Sequence, residues 1–393
     1  MVARWRFESV GGIMLCSRFG SMSNNILKHL NKPFNTKPIY ARNVWDMQVF
    51  DGKIYLGSGN ASNDEPSANT PPDGIISLDP TTKIFTNEFL TFDDKQLDLF
   101  KILNGALCIP GIDRMSGTIG NFYRKEIGEN WIMTSSIGTA VFHVYGAEYF
   151  GGNLFVAAGP SGNSEGMVFT SSDNGATWTS PLDSSFIANN SELRIRQYGM
   201  FTLGGKLYSI MGLLMLPWDD RALCIEGVAP NFTYSMVVCK NLKGSFPVLS
   251  YGYFTKIHRP TEFMGALLYI LAWVYNDHQC FPISLMRATD INTASAMVLP
   301  EVNAIPIDII LRDNNTIMYV LAYIKRSNTS YTNIVYSSVD GINYIEVLRF
   351  DYETFARSFE EINGVYYFGT GCYTDILSEA TGHILQIDIS DCT

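Results

Sequence analysis

Five cationic or imidazole side chains, His143, Arg196, Lys256, His258 and Arg357, and three aromatic ones, Trp45, Tyr145 and Tyr198, each stand a fixed distance ahead of a recurring turn. Nine residues before the turn lie Asn43, Gln96, His143, Arg196, Lys256, Pro306 and Phe355. Seven before it lie Trp45, Asp98, Tyr145, Tyr198, His258, Asp308 and Arg357. Residues two apart on a strand share a face, so the two columns predict one polar, basic and aromatic surface. Basic donors pair with carboxylate or sulfate, and aromatic rings stack on sugar faces. The chemistry expected is recognition of an anionic glycan or other anionic small ligand, with Asn43, Trp45, Asp98, Tyr145, Lys256, His258, Asp308 and Arg357 as contacts. His143, Tyr198 and Arg196 form the trio suited to catalysis. A His or Tyr would remove the proton α to a uronic carboxylate that an Arg neutralises. Asp98 or Asp113 could instead serve glycoside hydrolysis.

The turn that indexes these columns organises the whole chain. Alternating apolar runs reach a tight turn and return, as in Met47-Gln-Val-Phe-Asp-Gly-Lys-Ile-Tyr-Leu56 and Met200-Phe-Thr-Leu-Gly-Gly-Lys-Leu-Tyr-Ser209. Asp-Gly, Gly-Gly and Asn-Gly suit two-residue hairpins because they tolerate positive φ. The turn residues Gly52, Gly105, Gly152, Gly205, Gly265, Asn315 and Gly364 follow one another at intervals of 47 to 60 residues. Seven units of this length match the four-stranded blade of a β-propeller. Each unit continues into a second, more polar hairpin, and exposed sheet edges are removed only by closing the ring. The predicted fold is therefore all-β, a single closed propeller of seven four-stranded blades. Residues 43–393 form the ring and residues 1–42 an arm whose strand completes the last blade, with Ile13 to Cys16 as one candidate. In such a ring the innermost strands start at one mouth of the central channel, and the loops after the second strands return there. Met47, Phe100, Met200 and Phe359, nearer the turn, read as core.

Ser171-Ser-Asp-Asn-Gly-Ala-Thr-Trp178 resembles the Asp box, S-x-D-x-G-x-x-W, and Ser337-Ser-Val-Asp-Gly-Ile-Asn-Tyr344 looks like a degenerate copy with the acid shifted by one and Tyr for Trp. The resemblance is to the sialidase-like, BNR-repeat propellers. It implies that the motif sits on an outer hairpin, where the Asp caps backbone N–H groups and the aromatic packs between strands. It implies fold rather than activity. No [FY]-R-I-P motif lies near the first strand, and Leu193-Arg-Ile-Arg196 is the nearest run, so an arginine triad is not assigned.

Composition narrows the classes further. A formal net charge of −10 with no Lys/Arg-rich run argues against nucleic acid as a partner. The longest apolar run, Phe263 to Tyr275, is too short to span a bilayer as a helix and reads as a turn plus a buried strand. The N-terminal 35 residues carry Arg4, Arg6, Arg18, Lys28 and Lys32 ahead of and around an apolar run, Val10 to Cys16. They read as a targeting segment, as a flexible arm, or as an extension upstream of a chain that begins at Met22. The seven cysteines contain no C-x-x-C pair, so no zinc or redox motif is expected. Sequons at Asn60, Asn189, Asn231, Asn314 and Asn328 accord with an extracellular or cell-surface location. The second-strand loops bring Asp64, Glu65, Asp73, Asp113, Glu165, Asp219, Asp220, Asp277 and Asp375 to the same mouth. The Asn60–Gly74 loop lacks EF-hand spacing, so a structural Ca2+ is a possibility without a motif, and no metal ligands are assigned. Three functions follow: glycan binding for recognition or adhesion, a lyase or hydrolase of sialidase-like fold, and a protein-interaction scaffold.

Overall fold

The computed structural model of the chain describes residues 5–10, 13–18, 27–62, 68–115, 119–138, 141–160, 167–190, 196–211, 221–243, 253–275 and 279–389, with the backbone alone before residue 27. Seven sheets stand in a ring. Their innermost strands are Met47–Phe50, Lys101–Leu103, Val141–Phe150, Gln197–Leu203, Tyr253–Phe263, Ile305–Arg312 and Phe355–Ile362. They define blades one to seven in that order. Among the described residues six blades are four-stranded sheets and blade three has three strands, with an antiparallel Thr170–Thr179 bridge where its fourth would be. No helix among the described residues is long and apolar enough to cross a membrane.

The ring closes as the sequence predicts, by an N-terminal strand in blade seven, but with a different segment. Leu27–Asn31 pairs with Ile384–Asp388 as the outermost strand. The candidate, Ile13 to Cys16, lies in the strand Ile13–Arg18, which instead pairs with Trp5–Val10 in a separate hairpin. The reason is positional. An outermost strand is half solvated, and Leu27–Asn31 exposes Lys28 and His29 while keeping Leu27 and Leu30 partly buried.

The innermost hairpins turn through residues of positive φ, which only the chosen residue types tolerate cheaply: Asp51 and Gly52 at 48° and 73°, Asn104 and Gly105 at 48° and 75°. In blade six, Asp313, Asn314 and Asn315 all have positive φ, and the turn fills the four positions between Arg312 and Ile317. Indexing that blade on Asn315 is thus one residue out. When the hairpins are matched by their closing pairs, Phe50–Lys53 with Arg312–Ile317, Asp308 is the counterpart of Asp46 and not of Trp45.

The innermost strands of blades three to seven carry β-bulges, with register shifts between Val144 and Gly146, Gln197 and Gly199, His258 and Thr261, Pro306 and Asp308, and Ala356 and Ser358. The unmatched residues include Tyr145, Tyr198, Arg259 and Arg357. A bulge breaks the two-residue alternation, so the two columns do not form one continuous face.

Apolar packing lies between the blades, not within them. Among the described residues there is one buried cluster at each of the seven blade junctions. Phe50, Tyr55, Phe100 and Tyr123 join blades one and two, and Phe355, Phe359, Tyr366 and Phe368 help join six and seven. Met47, Phe100, Met200 and Phe359 are core, as read. A truncation such as Phe359→Ala would cost about 3–5 kcal/mol.

The segment 171–178 forms a tight turn capped by its own side chains. The Ser171 hydroxyl accepts from Gly175 N (2.8 Å), Asp173 Oδ1 accepts from Thr177 N (2.9 Å), and Trp178 Nε1 donates to Gly175 O (3.1 Å). Trp178 packs edge-on against Phe122 of the preceding blade at 5.1 Å. The second copy starts one residue later than its sequence suggests. Ser338 and Asp340 take the roles of Ser171 and Asp173, with Gly341 N donating to Ser338 Oγ (2.9 Å) and Ile342 N and Asn343 N to Asp340 Oδ1 (2.8 Å each). The acid is not shifted; one residue between Asp and Gly is missing. Tyr344 replaces Trp178, its hydroxyl donating to Gly341 O at 3.1 Å.

Candidate functional site

Four residues before each inner hairpin lies one layer of the channel: Asp46, Leu99, Gly146, Gly199, Arg259, Asp308 and Ser358. Arg259, at the blade-five bulge with φ 52°, crosses this layer. Its Nη1 lies 2.9 Å from Asp46 Oδ2, its Nε 3.1 Å from Asp308 Oδ1, and its Nη2 donates to Trp45 O at 2.6 Å. Each of the two acids also ties its blade to the next. Asp46 accepts from Met47 N (2.9 Å) and Phe100 N (2.6 Å). Asp308 accepts from Ile309 N (3.0 Å) and Phe359 N (3.1 Å). Burial raises both carboxyls above their ordinary range, against the pull of Arg259.

The layer divides the channel into two compartments. Towards the strand starts is a small pocket of about 40 Å³, lined by Asp98, Tyr145, Tyr198, Lys256 and His258 from blades two to five. Tyr145 and Tyr198 lie 4.8 Å apart by ring centroids. Burial raises the Asp98 carboxyl, opposed by Lys256 and Arg259. Its Oδ2 accepts from Gln96 Nε2 at 3.3 Å, and its buried Oδ1 has no hydrogen-bond partner among the described residues. Burial, with the charges of Arg259, Lys256 and Arg357, holds His258 neutral, well below its ordinary range.

His143 and Arg196 adjoin this pocket. The His143 ring stacks on Tyr145 at 5.2 Å with 12° between planes. Gly159 is what lets them meet, because a Cβ there would lie 2.9 Å from the Tyr145 ring, 3.0 Å from Arg196 Cγ and 3.2 Å from the His143 ring. The Nδ1 atom of His143 lies 2.6 Å from Asp113 Oδ1. Burial alone would raise Asp113, but His143 and Lys95 bring it below its ordinary value. Seven of the eleven sequence-predicted residues therefore gather at one place.

The other four stand in two further groups. Arg357, at the blade-seven bulge, stacks on Trp45 with its guanidinium 4.3 Å from the ring. It donates from Nε to Asn43 Oδ1 (2.8 Å) and from Nη2 to Cys372 O (2.9 Å). Asn43 is fully buried and also donates to Tyr40 O, while Trp45 Nε1 donates to Gly59 O. This cluster joins blades seven and one as a packed element rather than lining a solvated mouth. Asp308 is 2% exposed and belongs to the Arg259 layer. Arg259 itself lay outside the columns because this layer falls six residues before the turn glycine, a place the columns at seven and nine do not include, as with Asp46 in blade one. The signal available was Pro260, since Pro inside a strand marks a bulge.

Beyond the layer, towards the inner hairpins, lies a cavity of about 470 Å³ reached by all seven blades. Of the predicted loop acids, Asp73 is paired with Lys37 at 2.6 Å. Asp64, Glu65, Glu165, Asp219, Asp220 and Asp277 lie outside the described residues. Among the described residues no cluster of three or more His, Cys, Asp or Glu could hold a metal ion.

Architecture and channel together define a seven-bladed β-propeller. No family model and no curated protein matches the sequence. Among solved structures, the chain is similar to the WD40 domain of Neurospora crassa Pan2, with a TM-score of 0.51, 7% identity, and 94% of this chain and 97% of that one covered. It is also similar to the N-terminal domain of Nup159 (TM-score 0.35, 11% identity, 75% and 92% covered). The Niastella koreensis GH74 enzyme gives a TM-score of 0.34 at 12% identity, with 81% of this chain and 57% of that one covered. At such identities the likeness concerns the fold alone.

Proposed function

We propose that the strand-start mouth of the channel, between blades two and five, binds a carbohydrate carrying an acidic group. The observation that carries this reading is the pairing of Tyr145 and Tyr198 beside Lys256 and the unpartnered oxygen of Asp98. A pocket of about 40 Å³ takes one polar substituent, not a sugar ring. A sugar would lie across the mouth against the tyrosines, with its acidic substituent toward Lys256 and Arg196 and a hydroxyl donating to Asp98. Calorimetric titration with hyaluronan, alginate and polygalacturonate oligomers tests it. Saturable binding that falls at least about tenfold in Tyr198→Ala and Lys256→Ala is expected. Binding that ignores both substitutions refutes the assignment.

The His143–Asp113 contact favours a second, catalytic reading on the same ligand. With Nδ1–H held by Asp113, His143 Nε2 is left as the basic atom. It would take the proton α to the uronate carboxylate, the C–H electrons would form the C=C bond, and the C–O bond to the leaving sugar would break. Tyr198 would supply the proton to the leaving oxygen and Arg196 would neutralise the carboxylate. Absorbance of the unsaturated uronate, lost in His143→Ala while binding persists, is the result expected. No product with any of the three polymers sets this reading aside and leaves the lectin.

The reading carries an extracellular or cell-surface location with it. Asn189, Asn231, Asn314 and Asn328 of the sequons are exposed, which supports it, whereas Asn60 is buried. Expression in a secretory host should give a glycosidase-sensitive mobility shift that Asn60→Gln does not alter.

A further inference from the structure

The turn-side cavity plays no part in the mouth reading, and its chemistry is of the opposite sign. Five carboxylates line it: Asp46, Glu148, Glu262, Asp308 and Glu360. Three cations line it: Lys101, Arg259 and Arg312. Every one of these cations is already engaged. Lys101 pairs with Glu148, Arg312 with Glu360, and Arg259 is shared between Asp46 and Asp308. An entering anion would meet no uncommitted positive charge, and the acids lining the cavity outnumber the cations by five to three. At the closed end one guanidinium serves two acids whose carboxyls burial raises. The carboxylate left for a ligand is Glu262, exposed at the rim and in no ion pair among the described residues. No cluster of described residues fits a metal ion, while about 470 Å³ is the size of a small-molecule pocket.

We propose that the turn-side half of the channel is a second binding site, specific for a small organic cation such as a primary amine or guanidine. The cationic head would lie between Glu262 and the Asp46–Asp308 end, and Gln48 and Thr202 on the wall offer neutral hydrogen-bonding groups. The site lies on the turn side of the Arg259 layer, whose Leu99 and Arg259, with Lys101 and Pro260, also line the small pocket of the glycan mouth.

The test is calorimetric titration of the full chain at low salt with agmatine and putrescine, and with glutarate as an anion of similar size. Saturable binding of agmatine is expected, weakened about tenfold in Glu262→Gln and abolished in Glu262→Lys. Glutarate should give no binding, and Tyr198→Ala should bind agmatine as the wild type does. Glu262 is exposed and unpaired, so both substitutions should leave the melting temperature unchanged; if the lysine variant does not fold, the glutamine variant decides. The proposal is overturned if neither amine binds up to about 10 mM, if glutarate binds as well as agmatine, or if agmatine affinity responds to Tyr198→Ala but not to Glu262→Gln.

Discussion

Replacing Arg259 with Met tests whether the central ionic layer is what the geometry implies. The guanidinium contacts Asp46 at 2.9 Å and Asp308 at 3.1 Å, and none of the three side chains is more than 7% exposed. Removing one partner of a buried pair costs about 3–5 kcal/mol, because the other charge is left uncompensated. Here two carboxylates are left, each still accepting two backbone N–H groups, so about that range is expected near pH 8. Acid should relieve it. Burial already raises both carboxyls in the wild type, and without Arg259 they rise further. A carboxyl whose folded pKa exceeds its unfolded value gives the folded state extra protons between those two values. Its stability is therefore greatest below about pH 4 and falls as pH rises through the folded pKa, by about 1.4 kcal/mol per pH unit for each extra proton. The gap between wild type and Arg259→Met should thus be large at pH 8 and close as pH falls towards 5. Urea midpoints at several pH values, with the slopes checked for constancy, measure it. A gap that stays the same across this window, or one below about 1 kcal/mol at pH 8, would refute the reasoning.

Four other outcomes are expected. Arg357→Ala should lower stability by about 2–4 kcal/mol through the lost Trp45 stack and the Asn43 and Cys372 bonds, while leaving glycan affinity intact in the same titrations. Asp173→Ala and Asp340→Ala should lower the melting temperature. Hydrogen bonds from Thr177 hold Asp173 down at about 2, and those from Asn343 and Ile342 do the same for Asp340 against its slight burial. That stabilisation is present above about pH 4 and lost as pH falls towards 2, so the melting gap seen at pH 7 should vanish there. Deleting the chain through Asn31 should expose Ile384–Asp388 as an edge and speed amide exchange in blade seven first, read by mass spectrometry. Gly199→Val should abolish glycan binding with little change in melting temperature, because a Cβ there meets nothing within 4 Å and the side chain would enter the mouth pocket.

The ring was legible because its signal is local. A two-residue turn needs positive φ, so Asp51-Gly52, Asn104-Gly105 and their counterparts advertise themselves in the residue types, and their spacing gives the number of blades. The site was legible only in part, and the reason is the bulge. Counting back from a turn assumes unbroken alternation, which holds as far as Met200 or Phe359 and fails at the inserted residue. Tyr145 and Tyr198 were found because they are the bulged residues of adjacent blades and turn towards each other. Arg357 is equally a bulged residue, yet it is sealed by Trp45, Phe355 and Tyr373. Nothing in its spacing distinguishes the two outcomes; what decides is which neighbours the next blade supplies. Arg259 escaped for another reason: it stands six residues before Gly265, as Asp46 stands six before Gly52, and the columns lie at seven and nine.

The charge at the axis has a cause in the backbone. The innermost strand of every blade has one edge with no strand beside it, so its N–H groups face the channel and need acceptors. Asp46 supplies one to Phe100 N, Asp308 to Phe359 N, and Glu360 to Val49 N at 3.0 Å, each reaching from one blade to the next. A carboxylate is an acceptor only, so satisfying edges this way accumulates negative charge where water is scarce. Arg259 and Arg312 then offset it, one of them shared. The glycines at 146 and 199 complete the argument from the other side. In blades three and four the layer carries neither acid nor bulk, and there the channel opens towards the tyrosines. The acidic compartment and the aromatic mouth are thus two consequences of one layer, in which blades one, five and six spend their side chains on charge and blades three and four leave theirs out.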